Sequence, residues 1–165
     1  MDNISSAISL TSDMITEIDK WILKFPSGHK KSAVIAALTI VQQHNNGWLS
    51  EELLSAVAEY LELPLISVYE VATFYSNFEL QPVGKYKIGI CTNISCMLCG
   101  CKEITKHLKN KLNIDFGEIT KDGRFSLKSV ECIASCDKAP VIDINGNQFA
   151  NVTIESIDQI LMGLE

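Results

Sequence analysis

The chain has 165 residues, 47% of them hydrophobic and 21% charged, and a formal net charge of −6. At this length roughly 70% of the unfolded surface can be buried, so stability need not rest on disulfides. The acidic balance argues against nucleic acid as the main partner, because phosphate binding relies on basic patches.

The opening stretch MDNISSAISLTSDMITEID, residues 1–19, carries Asp2, Asp13, Glu17 and Asp19 but no Lys or Arg. That composition fits neither a secretory leader nor an Arg-rich transit peptide, so the chain reads as mature and cytosolic. From residue 12 onward apolar residues recur at helical spacing. Ile15, Ile18, Ile22 and Phe25 form one stripe, stopped by Pro26, Ser27 and Gly28. A second helix is expected over 31–44, apolar on one side through Ala33, Ala37, Ile40 and Val41, and ended by Asn45, Asn46 and Gly47, which tolerate positive φ. Its AVIAAL at 33–38 is the longest apolar run, far below the roughly 20 residues that span a bilayer. Ser50 is placed to cap a third helix, whose first turn sets Glu51 and Glu52 at the positive end of the dipole. Pro64 suits the first position of a fourth, running to Tyr75. Residues 1–80 thus read as a small helical bundle without repeats.

After Gln81-Pro82-Val83-Gly84 the period changes. KYKIGIC at 85–91 alternates and reads as a strand, and Met97 to Leu112 reads as a helix with Ile104, Leu108 and Leu112 inward. Asp122-Gly123 turns the chain into a second strand over 124–130, and Pro140 opens a third, VIDI. Asn145-Gly146 is the strongest short hairpin signal in the chain; it leads into a fourth strand near 148–151, and a last helix covers 154–161. The order β-α-β-β-β-α over residues 81–165 is what a thioredoxin-like domain gives. The chain is therefore expected to be an α+β protein, a helical bundle followed by that domain.

Six cysteines in a reducing cytosol point to metal ligands or redox groups rather than structural disulfides. Cys91 ends the first strand and Cys96 lies near the start of the following helix, while Cys132 follows the second strand and Cys136 lies in the loop before Pro140. If the two strands are parallel neighbours their ends lie about 5 Å apart, so the two loops face each other. Two thiolates from each loop suit a [2Fe-2S] cluster, in which each of the two irons takes two of the four cysteines. Two rivals stay open. Cys91, Cys96 and Cys99 have plant-type ferredoxin spacing, with Cys132 available as the fourth ligand. A structural zinc could use the same four thiolates, although the usual C-x2-C knuckles are missing. On a helix over 97–112, Cys99 and Cys101 lie roughly 200° apart and cannot face one centre; they read as small buried hydrophobes.

CTNISCMLCG at 91–100 with CIASCDKAP at 132–140 resembles the C-x4-C…C-x3-C signature of the small [2Fe-2S] subunit of the NADH dehydrogenase module of respiratory complex I. NNGWLS at 45–50, VYEVATFYSNF at 68–78 and PVGKYKI at 82–88 are similar to that family too, so the likeness covers nearly the whole chain after residue 30. The resemblance implies one [2Fe-2S] cluster on Cys91, Cys96, Cys132 and Cys136. It also implies NADH and FMN on a larger partner subunit, single-electron exchange with that flavin, and attachment to the cytoplasmic face of a bacterial inner membrane through partner subunits. No catalytic acid or base is implied on this chain, and no G-x-G-x-x-G or Walker loop is present to bind a nucleotide. The same module serves NAD-linked hydrogenases and formate dehydrogenases. A free-standing thioredoxin-like ferredoxin is a further reading, against which the helical half speaks. Ala134 stands where many members have glycine, and Asp137 where many have a small apolar residue; the latter's charge should lower the cluster potential.

The remaining polar features read more plainly. His29, His44 and His107 are isolated, Lys102, Lys106, Lys109 and Lys111 form a solvated helix face, and Tyr69, Phe74, Tyr75 and Phe78 read as core and interdomain packing.

Overall fold

The computed structural model describes residues 9–164; the first eight residues of the acidic opening stretch, and Glu165, lie outside the described residues. The chain divides into two compact units after Pro82.

The first unit is helical. α1 (Ser12–Ile22) starts where the Thr11 hydroxyl accepts the Met14 N–H at 3.3 Å. Of the expected stripe Ile18 is fully buried and Ile22 and Phe25 pack partly, while Met14 is the second buried residue of the helix. α2 (Val34–His44) begins later than expected, after a 3₁₀ turn over Lys30–Ala33, and ends at Asn46 and Gly47, both at positive φ. α3 (Glu51–Leu61) is capped by Ser50, whose hydroxyl accepts the Leu53 N–H at 3.3 Å. α4 (Leu65–Phe74) follows Pro64, which stands just before the helix rather than in its first turn. Ile18, Leu38, Val41, Leu54, Leu61 and Val68 build the core. The aromatic set divides: Phe78 enters this core and Tyr69 packs against it, but Phe74 is 80% exposed and Tyr75 40%. Core packing therefore accounts for Phe78 and Tyr69, while Phe74 and Tyr75 lie outside this core.

The second unit carries a four-stranded sheet in the order β2-β1-β3-β4. β1 (Tyr86–Cys91) pairs parallel with β2 (Phe125–Val130), in a register that sets Cys91 opposite Val130. β3 (Ile142–Ile144) runs antiparallel to β1 and turns through Asn145 and Gly146, both at positive φ, into β4 (Asn147–Phe149). The single helix expected over 97–112 is instead two, α5 (Ile94–Leu98) and α6 (Cys101–Leu112). The break falls at Gly100, whose φ of 91° is a left-handed conformation open to glycine at little cost. α7 (Ile154–Gly163) closes the chain behind a capping box formed by Thr153 and Ser156. Ile88, Ile90, Leu108, Leu127, Ile142 and Ile157 form this unit's core.

Candidate metal centre

Two loops meet at one end of the parallel pair β1 and β2. The first leaves β1 at Cys91. The Thr92 N–H donates to the Val130 carbonyl at 2.9 Å, and its hydroxyl lies 3.0 Å from that of Ser129, which ties the loop to the end of β2. The Asn93 side chain then accepts the Ile94 N–H at 2.7 Å and starts α5, which carries Cys96. The second loop leaves β2 after Val130 and carries Cys132, and Cys136 opens a short 3₁₀ turn, Cys136–Lys138. Gln148 on β4 clamps this loop: its amide donates to the Ile133 carbonyl at 3.2 Å, and its side-chain oxygen accepts the Ser135 hydroxyl at 2.7 Å. Ala134 sits at φ 60°, a strained conformation for a residue with a Cβ, and its N–H donates to Cys132 Sγ at 3.3 Å.

The four thiols expected to act together are brought together. The Cys91 thiol is influenced by the thiols of Cys96 and Cys132, and Cys132 Sγ is 3.8 Å from Cys136 Sγ. Burial pushes the Cys91 thiol up, yet the amides of Asn93 and Ile133 and the thiols of Cys96 and Cys132 together outweigh it and hold Cys91 below the ordinary thiol value. Cys96 is pushed up to about 11 by burial first and by its hydrogen bond with Cys91 second, against the Val141 amide. Cys136 is raised by its hydrogen bond with Cys132. Neighbouring thiols are suited to bound cations, which hold them as thiolates.

Cys99 and Cys101 part company. Cys101 is buried with Cys91, Cys96 and Val141 in one apolar cluster, and burial raises its thiol. Cys99 caps the end of α5 and is exposed, which corrects the expectation that both would be buried. Their separation comes from the break at Gly100 and not from rotation along one continuous helix. In the second unit His107 bonds Asp158 at 2.7 Å, and in the first His44 bonds Glu17 at 3.3 Å and the His29 ring nitrogen lies 3.2 Å from the Ser27 carbonyl. The lysines of α6 form no cluster at the site; Lys109 pairs with Asp115, and Lys111 with Asp158 at 2.7 Å.

The donor set is four thiols, one pair from each loop: Cys91 and Cys96 on the first, Cys132 and Cys136 on the second. Two pairs suit a [2Fe-2S] cluster, in which each iron takes two of the four thiolates. Gln148, Thr92 and the Ala134 amide were not legible as parts of the site. Only Ala134 carried a signal, as a residue standing where glycine is usual.

Two cysteine pairs on loops at the end of a parallel strand pair, on a sheet flanked by helices, are the plan of a ferredoxin built on the thioredoxin fold. The sequence pattern of the thioredoxin-like [2Fe-2S] ferredoxins matches residues 18–165, and the chain belongs to that family. Its relatives include a subunit of the NADH-quinone oxidoreductase of Rickettsia bellii, 41% identical over 154 residues that span 93% of this chain and 88% of the relative. The corresponding subunit of Rickettsia prowazekii is 39% identical over 140 residues, 85% of this chain and 79% of the relative. A chain of an NAD+-reducing [NiFe]-hydrogenase in the air-oxidized state shares the fold with a TM-score of 0.68 over 79% of this chain. At 24% identity that likeness shows the fold alone, and this chain spans 22% of the hydrogenase chain.

Proposed function

We infer that this chain is the electron-transfer subunit of an NADH-quinone oxidoreductase, holding one [2Fe-2S] cluster on Cys91, Cys96, Cys132 and Cys136. The observation that carries the reading is four cysteines, two from each of two loops that leave the paired ends of β1 and β2, with Cys132 and Cys136 3.8 Å apart. Such a cluster, when bound, accepts and releases one electron at a time.

The chain's own residues hold and tune it. Cys91 and Cys96 are buried and keep water from one side, while Cys132 and Cys136 are exposed and leave the other open. The amides of Asn93, Ile133, Ala134 and Val141 donate toward the sulfurs, which stabilises added negative charge and draws the potential upward. No proton needs to move, so no acid or base is required. The partner is the subunit that binds NADH and FMN. Among the described residues no helix is long and apolar enough to cross a membrane; attachment to the cytoplasmic face of the inner membrane comes through other subunits.

Replacing each cysteine by serine tests the ligand set. Cys91→Ser, Cys96→Ser, Cys132→Ser and Cys136→Ser should each lose the visible absorbance and most of the bound iron, and Cys99→Ser and Cys101→Ser should keep both. Loss in Cys99→Ser with retention in Cys136→Ser would hand the site to the plant-type set, and a colourless protein containing zinc would end the iron-sulfur reading. Recovery of the chain from native cells as a free monomer, without an FMN-binding partner, would sink the assignment to a complex.

A further inference from the structure

The sulfurs of the second unit differ in how they can be reached. Cys91, Cys96 and Cys101 are buried in one apolar cluster, whereas Cys99, Cys132 and Cys136 are exposed. Of the exposed three, Cys132 and Cys136 face each other at 3.8 Å on the loop that Gln148 clamps. A disulfide brings its sulfurs to about 2.05 Å, so closure asks for less than about 2 Å of approach by two exposed side chains. Cys99 makes no hydrogen bond to another sulfur among the described residues, and its chain neighbours Cys96 and Cys101 are buried.

We propose that, before a cluster is loaded, Cys132 and Cys136 form a thiol-disulfide exchange site for low-molecular-weight disulfides and close into a disulfide that withholds half of the ligand set. The Cys132 thiolate attacks one sulfur of the small disulfide, whose S–S bond breaks and releases one thiolate. Cys136 gives its proton to water and displaces the second thiolate from the mixed disulfide. The two small thiolates take up the two protons that the pair has lost, so the protein dithiol gives up two electrons and the small disulfide becomes two thiols. Burial shields Cys91, Cys96 and Cys101, and Cys99 stops at a mixed disulfide because its chain neighbours Cys96 and Cys101 are among the buried thiols. The pairing stands on the geometry alone; its effect on loading rests on the ligand reading given above.

The test uses the full chain isolated without iron, as the Cys99→Ser variant so that only the pair reacts, with oxidised glutathione as the probe. Intact mass, thiol counting and peptide mapping should show the loss of two thiols, a Cys132–Cys136 cross-link and no glutathione retained. Adding Cys136→Ser should trap one glutathione on Cys132. Glutathione on both Cys132 and Cys136 without a cross-link, or a cross-link to Cys91, Cys96 or Cys101, overturns the proposal. The oxidised chain should then take up no cluster from iron and sulfide until a dithiol reductant is added; full loading while still oxidised overturns the withholding. Failure to load in either state refutes the ligand reading and leaves the mapped pairing standing.

Discussion

Gly84 holds the two paired strands at a separation that no side chain allows. It precedes β1, and a Cβ placed there meets the Phe125 carbonyl carbon at 2.5 Å, the Ser126 nitrogen at 2.8 Å and the Phe125 oxygen at 2.9 Å. Ordinary contact begins at 3.4 Å, so Gly84→Ala lacks about 0.9 Å. The atoms in the way are main chain of the ladder partner, held by the Tyr86 to Phe125 register and by the Tyr86 N–H bond to the Arg124 carbonyl at 2.7 Å. Overpacking typically costs about 1–3 kcal/mol, and a backbone obstacle cannot rotate away, so the upper end, about 3 kcal/mol, is expected. Gly89 supplies the control. Its Cβ would meet Val130 Cγ2 at 2.9 Å, the end of a side chain that can turn, and removing a strand glycine returns about 0.5–1 kcal/mol of backbone entropy. Gly89→Ala should therefore cost under about 1 kcal/mol. Native-state hydrogen exchange of the β1 amides measures both, and a loss of 3 kcal/mol lowers protection about a hundredfold where exchange follows global opening. A Gly84→Ala protein within about 0.5 kcal/mol of the parent, or a larger cost at Gly89, would refute the steric argument.

Three more outcomes are expected. Ser126 Oγ is buried without a hydrogen-bond partner among the described residues, so Ser126→Ala should raise the unfolding free energy by up to about 1 kcal/mol, read as a higher urea midpoint. The Tyr60 hydroxyl donates to Asp19 at 2.5 Å, and this bond first, burial second, pushes Tyr60 up to about 12 from 10.0. A pKa raised by folding stabilises the protein below the unfolded value and ceases to do so as pH climbs from 10 to about 12, so stability should fall over that window and Tyr60→Phe should remove that part of the fall. Urea midpoints on either side of the window, with an absorbance titration of the tyrosines, check it. Asp137 is exposed beside Cys136 in the 3₁₀ turn, and Asp137→Ala should raise the cluster potential by roughly 40 mV, the size of a unit-charge contact in water. A redox titration showing no upward shift would remove Asp137 from the account.

Much of this architecture is written locally. The Ser50 cap, the Asn145-Gly146 hairpin and the change of period after Gly84 each depend on neighbours within a few residues, and each element they announce is present. Gly100 was legible in principle as a helix breaker, but the apolar spacing of Ile104, Leu108 and Leu112 reads the same whether the helix begins at Met97 or at Cys101. That ambiguity misplaced Cys99, which is exposed at the end of α5 while Cys101 is buried.

The site itself combines the two scales. Sequence alone determined that Cys91 ends a strand, that Cys132 follows another, and that thiols in C-x4-C and C-x3-C loops suit a soft-metal centre. Only the tertiary structure decided that those loops are neighbours, through the register that sets Cys91 against Val130, and that one pair is buried and the other exposed. It also supplied Gln148, recruited from β4 by the hairpin, as the clamp on the second loop. The reason is physical: hydrogen-bond ladders join residues some forty positions apart, and burial follows from what the finished sheet and helices cover, which no short stretch of sequence encodes.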